Sequence, residues 1–123
     1  MQSIEIDRAK SLAQEPGRGH NRWHPDIPPL LEVATGEEVV LGTRDALDGQ
    51  IRPGMAADDL GHLDAGVVHP LTGPVYIQGA QPGDLLEIEY LDIVPQPYGW
   101  TSIMPGLGLL RDRFTACTWC TGS

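Results

Sequence analysis

Gln81-Pro82-Gly83-Asp84 leading into Leu85-Leu86-Glu87-Ile88-Glu89-Tyr90-Leu91-Asp92-Ile93 is the stretch on which the fold turns. Proline second and glycine third is the order a type II turn prefers. After it, Leu86, Ile88 and Tyr90 alternate with Glu87 and Glu89, the period of a strand with one buried and one wet face. Residues 85–93 are therefore read as the longest strand of the chain. The alternation fails at Leu91 and Asp92, where a bulge or burial on both faces is expected. Just upstream, Pro74-Val75-Tyr76-Ile77-Gln78 supplies the other arm of a hairpin.

Working outward, residues 30–43 read as an earlier hairpin. Leu30-Leu31-Glu32-Val33 and Val39-Val40-Leu41-Gly42-Thr43 are its strands, and Thr35-Gly36-Glu37 carries turn chemistry. Between the two units, Asp58 or Asp59 is placed to cap a single helical turn. The opening fits either a strand at Ser3–Ile6 or a turn or two of helix through Ala9 and Leu12. Residues 16–29 hold four prolines and two glycines, so they read as an ordered loop or a linker, with Trp23 and Ile27 needing somewhere to pack. Strands punctuated by turns, with almost no helical period, point to an all-β sandwich or barrel. The 15 Gly and 11 Pro exclude a helical bundle or coiled coil.

The chain's 123 residues suit one domain, and a chain of that size buries roughly two-thirds of the surface its unfolded form exposes. Eight Lys and Arg against 17 Asp and Glu give a net charge of −9. That balance opposes binding to nucleic acid, which needs a basic face, and to anionic membranes. No apolar run approaches a spanning helix and residues 1–10 lack a signal-peptide core, so a cytoplasmic location is expected.

Few residues offer chemistry. Asp45, Asp48 and Gln50 follow a strand directly. Neighbouring carboxylates there suit a divalent cation or acid–base work, while the favoured bland reading is that they cap an Asp-Gly turn. His20 and His24 have the spacing of some metal pairs, but Gly19 and Pro25 oppose the helix that would align them. A hydrogen-bonding role is the competing reading. His69 precedes Pro70-Leu71-Thr72-Gly73-Pro74, a stiff segment able to orient a substrate or metal, or to anchor itself. Cys117 and Cys120 are the only two cysteines. They fall short of a structural zinc set and lack the βαβ context of a redox pair. No nucleophile elbow and no phosphate loop occurs.

Five blocks resemble the acetamidase/formamidase family, its formamidase branch especially. They are Gly19-His20-Asn21-Arg22-Trp23-His24-Pro25-Asp26-Ile27-Pro28-Pro29, then Thr43-Arg44-Asp45-Ala46-Leu47-Asp48-Gly49-Gln50-Ile51, then His69-Pro70-Leu71-Thr72-Gly73-Pro74-Val75-Tyr76. Gly79-Ala80-Gln81-Pro82-Gly83-Asp84-Leu85-Leu86 with Leu91-Asp92-Ile93 is the fourth, and Ile103-Met104-Pro105-Gly106-Leu107-Gly108 the fifth. They stand in the family's order, over what corresponds to its N-terminal third.

The resemblance implies hydrolysis of short aliphatic amides such as formamide, a β-sandwich-like fold, a homo-oligomer and a metal-assisted site, with zinc expected. Metal-activated water is consistent with the missing Ser or Cys nucleophile. On that basis Asp45 is the expected catalytic and metal-binding carboxylate, His69 a catalytic pocket residue, and Gln50 and Thr72 substrate-binding residues. Residues 1–114 are expected to form the N-terminal part of the family domain, incomplete and of uncertain activity alone. Residues 115–123 are atypical for the family, as a shifted reading frame would make them. The alternative from another class is a non-enzymatic β-sandwich module that binds a small ligand or a protein. A thiol-redox or Cys-metal protein is the third reading.

Overall fold

A computed structural model describes residues 1–122; the side chains of Trp119 and Thr121 are not described. Among these residues eight short strands carry the structure: β1 Gln2–Ile4, β2 Gly19–His20, β3 Leu31–Val33, β4 Val39–Leu41, β5 Leu71–Thr72, β6 Val75–Ile77, β7 Gly99–Ile103 and β8 Thr118–Gly122. They form four two-stranded sheets, β1·β4, β2·β5, β3·β6 and β7·β8, and none closes into a barrel. The helical content among the described residues is a few 3-10 turns. No helix among them is long and apolar enough to cross a membrane. The expectation of a strand-and-turn protein holds.

The chain divides into two compact units. One contains Met1–Gln50 with Asp64–Leu85, the other Ile51–Leu63 with the chain from Leu86 onward. In the first unit β1 runs parallel to β4, with Gln2 beside Val39 and Ile4 beside Leu41. Beside them β3 runs parallel to β6, Leu31 facing Val75 and Val33 facing Ile77. Gly42 N donates to Ile4 O at 2.8 Å and Gln78 N to Val33 O at 2.8 Å, each extending a ladder past the strand proper. In the second unit β7 and β8 are antiparallel, Gly99 facing Gly122 and Ile103 facing Thr118. The six-residue 3-10 turn Ala57–His62 accompanies them.

Several expectations are corrected. Residues 30–43 contain the two strands foreseen and a turn, where Glu37 N donates to Ala34 O at 3.1 Å. They do not form a hairpin, because β3 and β4 each pair in parallel with a distant strand. Those pairings bury Ile4 and Val33, two of the four buried apolar side chains among the described residues, burial that a local hairpin of three-residue arms would not supply. The opening resolves to a strand, with helical character confined to a 3-10 turn at Leu12–Gln14. Within residues 16–29 the loop is ordered, yet Trp23 is 90% exposed, so packing of its ring is not what orders it. The helical turn is capped at Ala56, whose N–H donates to Asp59 Oδ2 at 3.0 Å.

The largest correction concerns residues 85–93. The turn before them forms, with Asp84 N donating to Gln81 O at 3.0 Å and Gly83 at φ 102°. The strand does not: no ladder reaches these residues, and Leu86, Ile88, Tyr90, Leu91 and Ile93 are exposed. A strand is a property of a pair, and no partner for this one occurs among the described residues. The burial arithmetic agrees. The chain exposes 9479 Å², against about 6,450 Å² for a globular monomer of its mass. It thus buries about half, not two-thirds, of what the unfolded chain exposes.

Candidate functional site

Three of the sequence blocks meet in the first unit. β2 and β5 are antiparallel, Gly19 facing Thr72 and His20 facing Leu71, so the first block lies against the third. Thr72 Oγ1 donates to Gly42 O at 2.6 Å, which ties the third block to the end of β4 and the start of the second. Asn21 Nδ2 donates to Gly66 O at 2.8 Å, a further tie from the first block. Glycine at 19 is required by this approach, since a Cβ there would stand 2.2 Å from Leu71 O.

The loop after β4 is held by its own carboxylates. Asp45 Oδ1 accepts from Leu47 N at 2.9 Å and Oδ2 from Gly49 N at 2.8 Å, while Asp48 N donates to Asp45 O at 3.0 Å. Asp48 and Gly49 both have positive φ, 55° and 75°, which Asp and Gly tolerate best. This is the turn-capping arrangement weighed for Asp45, whereas the Asp48 side chain turns to Leu12 N and Arg44 and caps nothing in the loop. Each Asp45 oxygen keeps one lone-pair site beyond its cap.

Gln50 is a clamp. Its Nε2 donates to Leu47 O at 3.0 Å and Asp64 O at 3.1 Å, and its Oε1 accepts from Asp64 N at 2.7 Å. The residues proposed to bind substrate, Gln50 and Thr72, therefore spend polar atoms on the backbone. His69 is exposed on the segment entering β5.

Arg44 and Glu15 were not singled out by sequence, yet they organise this loop. Arg44 donates to Lys10 O and pairs with Glu15 Oε2, and its Nη1 lies 3.6 Å from Asp48 Oδ1. Asp48 Oδ2 accepts from Leu12 N at 2.8 Å. The side chains of Arg44, Glu15 and Asp48 are 6%, 15% and 2% exposed, a buried ionic group joining residues 10–15 to the loop. The available signal was Arg44 beside Asp45 and four residues before Asp48, a spacing read only for its acids.

His20 takes the hydrogen-bonding role. Its Nδ1 lies 2.7 Å from Arg22 O. A carbonyl can only accept, so Nδ1 is the donor in this contact. His24 does not join it: its Nδ1 accepts from Asp26 N at 3.2 Å. Among the described residues no three His, Cys, Asp or Glu side chains converge. A zinc centre needs at least three protein donors, so these residues do not compose one by themselves.

The sequence pattern of the Acetamidase/Formamidase family matches residues 5–121. The chain belongs to that family. An acetamidase of Mycolicibacterium smegmatis is 42% identical over 94 residues, 76% of this chain and 23% of its own length. A formamidase of Methylophilus methylotrophus is 38% identical over 117 residues, 90% of this chain and 29% of its own. A gamma lactamase from Delftia acidovorans has the same fold over 98% of this chain and 31% of its own, with TM-score 0.90 and 34% identity. This acetamidase/formamidase-family chain thus spans between about a quarter and a third of the length of these relatives. The family match runs past Phe114 and into β8, through part of the stretch that reads as atypical.

Proposed function

We propose that this chain contributes to hydrolysis of short linear amides such as formamide and acetamide, as the N-terminal part of an amide hydrolase. The observation that carries the reading is the family match over residues 5–121, with three of its blocks joined around β2, β5 and the loop after β4. The reaction adds water across the amide C–N bond. Oxygen goes to the carbonyl carbon, the bond to nitrogen breaks, and both water protons end on nitrogen, so carboxylate and ammonium leave.

In this reading His69 carries a proton or orients the amide, and Asp45 supplies the carboxylate of the site. Gln50 and Thr72 shape the substrate side by holding the backbone around it. The zinc expected from the family resemblance requires donors in addition to Asp45. A β-sandwich completed by further strands, a homo-oligomer and a cytoplasmic setting belong to the same proposal.

A second reading, a non-enzymatic binding module, is favoured by the commitment of Asp45, Gln50 and Thr72 to backbone partners. Ammonia release from formamide and acetamide by the purified chain, with and without added Zn²⁺, separates the two. Turnover lost in His69→Ala supports the hydrolase. Absence of turnover from a sample shown to be folded overturns activity of these 123 residues alone.

A further inference from the structure

We propose that the Asp48–Gly49 bond is a latent isoaspartate-forming site, held closed in the fold by the partners of Asp48 and Gly49. The proposal is independent of the activity proposed above. Asp48–Gly49 is the single Asp-Gly pair in the chain. Glycine carries no side chain to shield its own amide nitrogen, so that nitrogen can reach the preceding carboxyl carbon. In the reaction Gly49 N attacks Asp48 Cγ and gives up its proton, and a carboxyl oxygen leaves as water. The cyclic imide that results then takes up one water. Opening at Cγ restores aspartate. Opening at the main-chain carbonyl leaves Gly49 N joined to Cγ, which is isoaspartate. One water leaves and one enters, so no other reactant is needed.

The folded loop gives each reacting group a different partner. The Asp48 side chain is 2% exposed, its Oδ2 accepts from Leu12 N at 2.8 Å and its Oδ1 lies 3.6 Å from Arg44 Nη1. Gly49 N donates to Asp45 Oδ2 at 2.8 Å. Burial of Asp48 also withholds the water that the second step consumes. Asp48 stands at φ 55°, the one non-glycine residue with positive φ among the described residues. An L-residue in that conformation stays there because its surroundings hold it. Local opening of the loop therefore frees carboxylate, amide and backbone together. The product bears on the candidate site, since isoaspartate lengthens the main chain by one carbon just before Gly49 and Gln50. That insertion would draw the Gln50 clamp off Asp64. The class of enzyme suited to read the change is a methyltransferase acting from S-adenosylmethionine on the isoaspartyl carboxylate.

The test incubates the purified chain at neutral pH in water labelled with heavy oxygen. Each imide opening then marks the product, and peptide mapping by mass spectrometry reads the label and the isoaspartate at residue 48. In the chain unfolded by guanidinium chloride, isoaspartate is expected at Asp48. In the folded chain it should form roughly ten-fold or more slowly, because reaction waits for local opening. Asp45→Ala, which frees Gly49 N, should raise the folded rate roughly five-fold or more. Arg44→Met, which frees the Asp48 carboxylate, should do the same, and if it does not fold, Asp45→Ala carries the comparison. Val33→Ala weakens the packing of β3 on β6 and removes none of the contacts at Asp48 and Gly49, so it should leave the rate unchanged. Equal rates in the folded and unfolded chain overturn the proposal. So does an unchanged rate in Asp45→Ala, or a slower one, which would make Asp45 the base that takes the Gly49 proton. An equal rise in Val33→Ala also overturns it, because isomerisation would then follow unfolding of the whole unit.

Discussion

At the scale of single residues, the first unit depends on a few side chains with no freedom to change. Gly19 is one, because any Cβ would fall 2.2 Å from Leu71 O and force β2 from β5. Gly19→Ala should cost about 1–3 kcal/mol in urea unfolding. Arg44 is another. Arg44→Met leaves Glu15 and Asp48 buried without their cation, for an expected loss of about 3–5 kcal/mol. Adding Glu15→Gln should recover part of it, since one fewer uncompensated charge then stays buried. If the double variant is no more stable than Arg44→Met, the three side chains are not acting as one ionic group. Glu37 gives a pH dependence. Its carboxyl titrates below the ordinary 4.5 because Gln2 Nε2 and then Ala34 N hydrogen-bond its charged form. A lowered folded value means stability that is complete above 4.5 and lost as pH falls through the folded value beneath it. Glu37→Gln should flatten the acid limb of the unfolding curve over that window. An unchanged limb would remove the linkage.

At the scale of elements, the turns were legible and the pairings were not. Gln81–Asp84 and Ala34–Glu37 turn as their local chemistry requires, since a turn needs only its own four residues. The loop after β4 is a similar case. Asp45 and Asp48 were legible as acids after a strand, and both the site and the cap were visible alternatives. The cap is what the backbone amides of Leu47 and Gly49 reveal. Asp45→Ala should destabilise by about 1–2 kcal/mol through loss of those two bonds, read as a lower urea midpoint. A role confined to the substrate would leave the midpoint where it is. By contrast β3 and β4 read as a hairpin and pair elsewhere, because their partners lie some forty residues away and period-2 alternation carries no address. The same limit applies to residues 85–93, whose alternation reads as a half-buried strand but which are exposed and make no ladder.

At the scale of the whole molecule, the balance between buried and exposed surface is the governing fact. Among the described residues four apolar side chains are buried, Ile4, Val33, Ile51 and Leu60, while Leu86, Ile88, Tyr90, Leu107, Leu109 and Phe114 are exposed. The folded chain should therefore bind a hydrophobic dye at neutral pH, and its urea dependence should be shallower than its length implies. A steep transition with no dye binding would contradict the exposed surface. Composition, the turn residues, the strand character of most segments and the family resemblance were all determined by the sequence itself, because each is a local or ordered property of residue types. Which strands pair, that Arg44 and Glu15 lock the loop after β4, and that residues 86–94 stay unpaired were decided only by the tertiary structure. The physical reason is that a hydrogen-bond ladder and a buried charge need two partners at once, and the distance between partners along the chain is not written in either one.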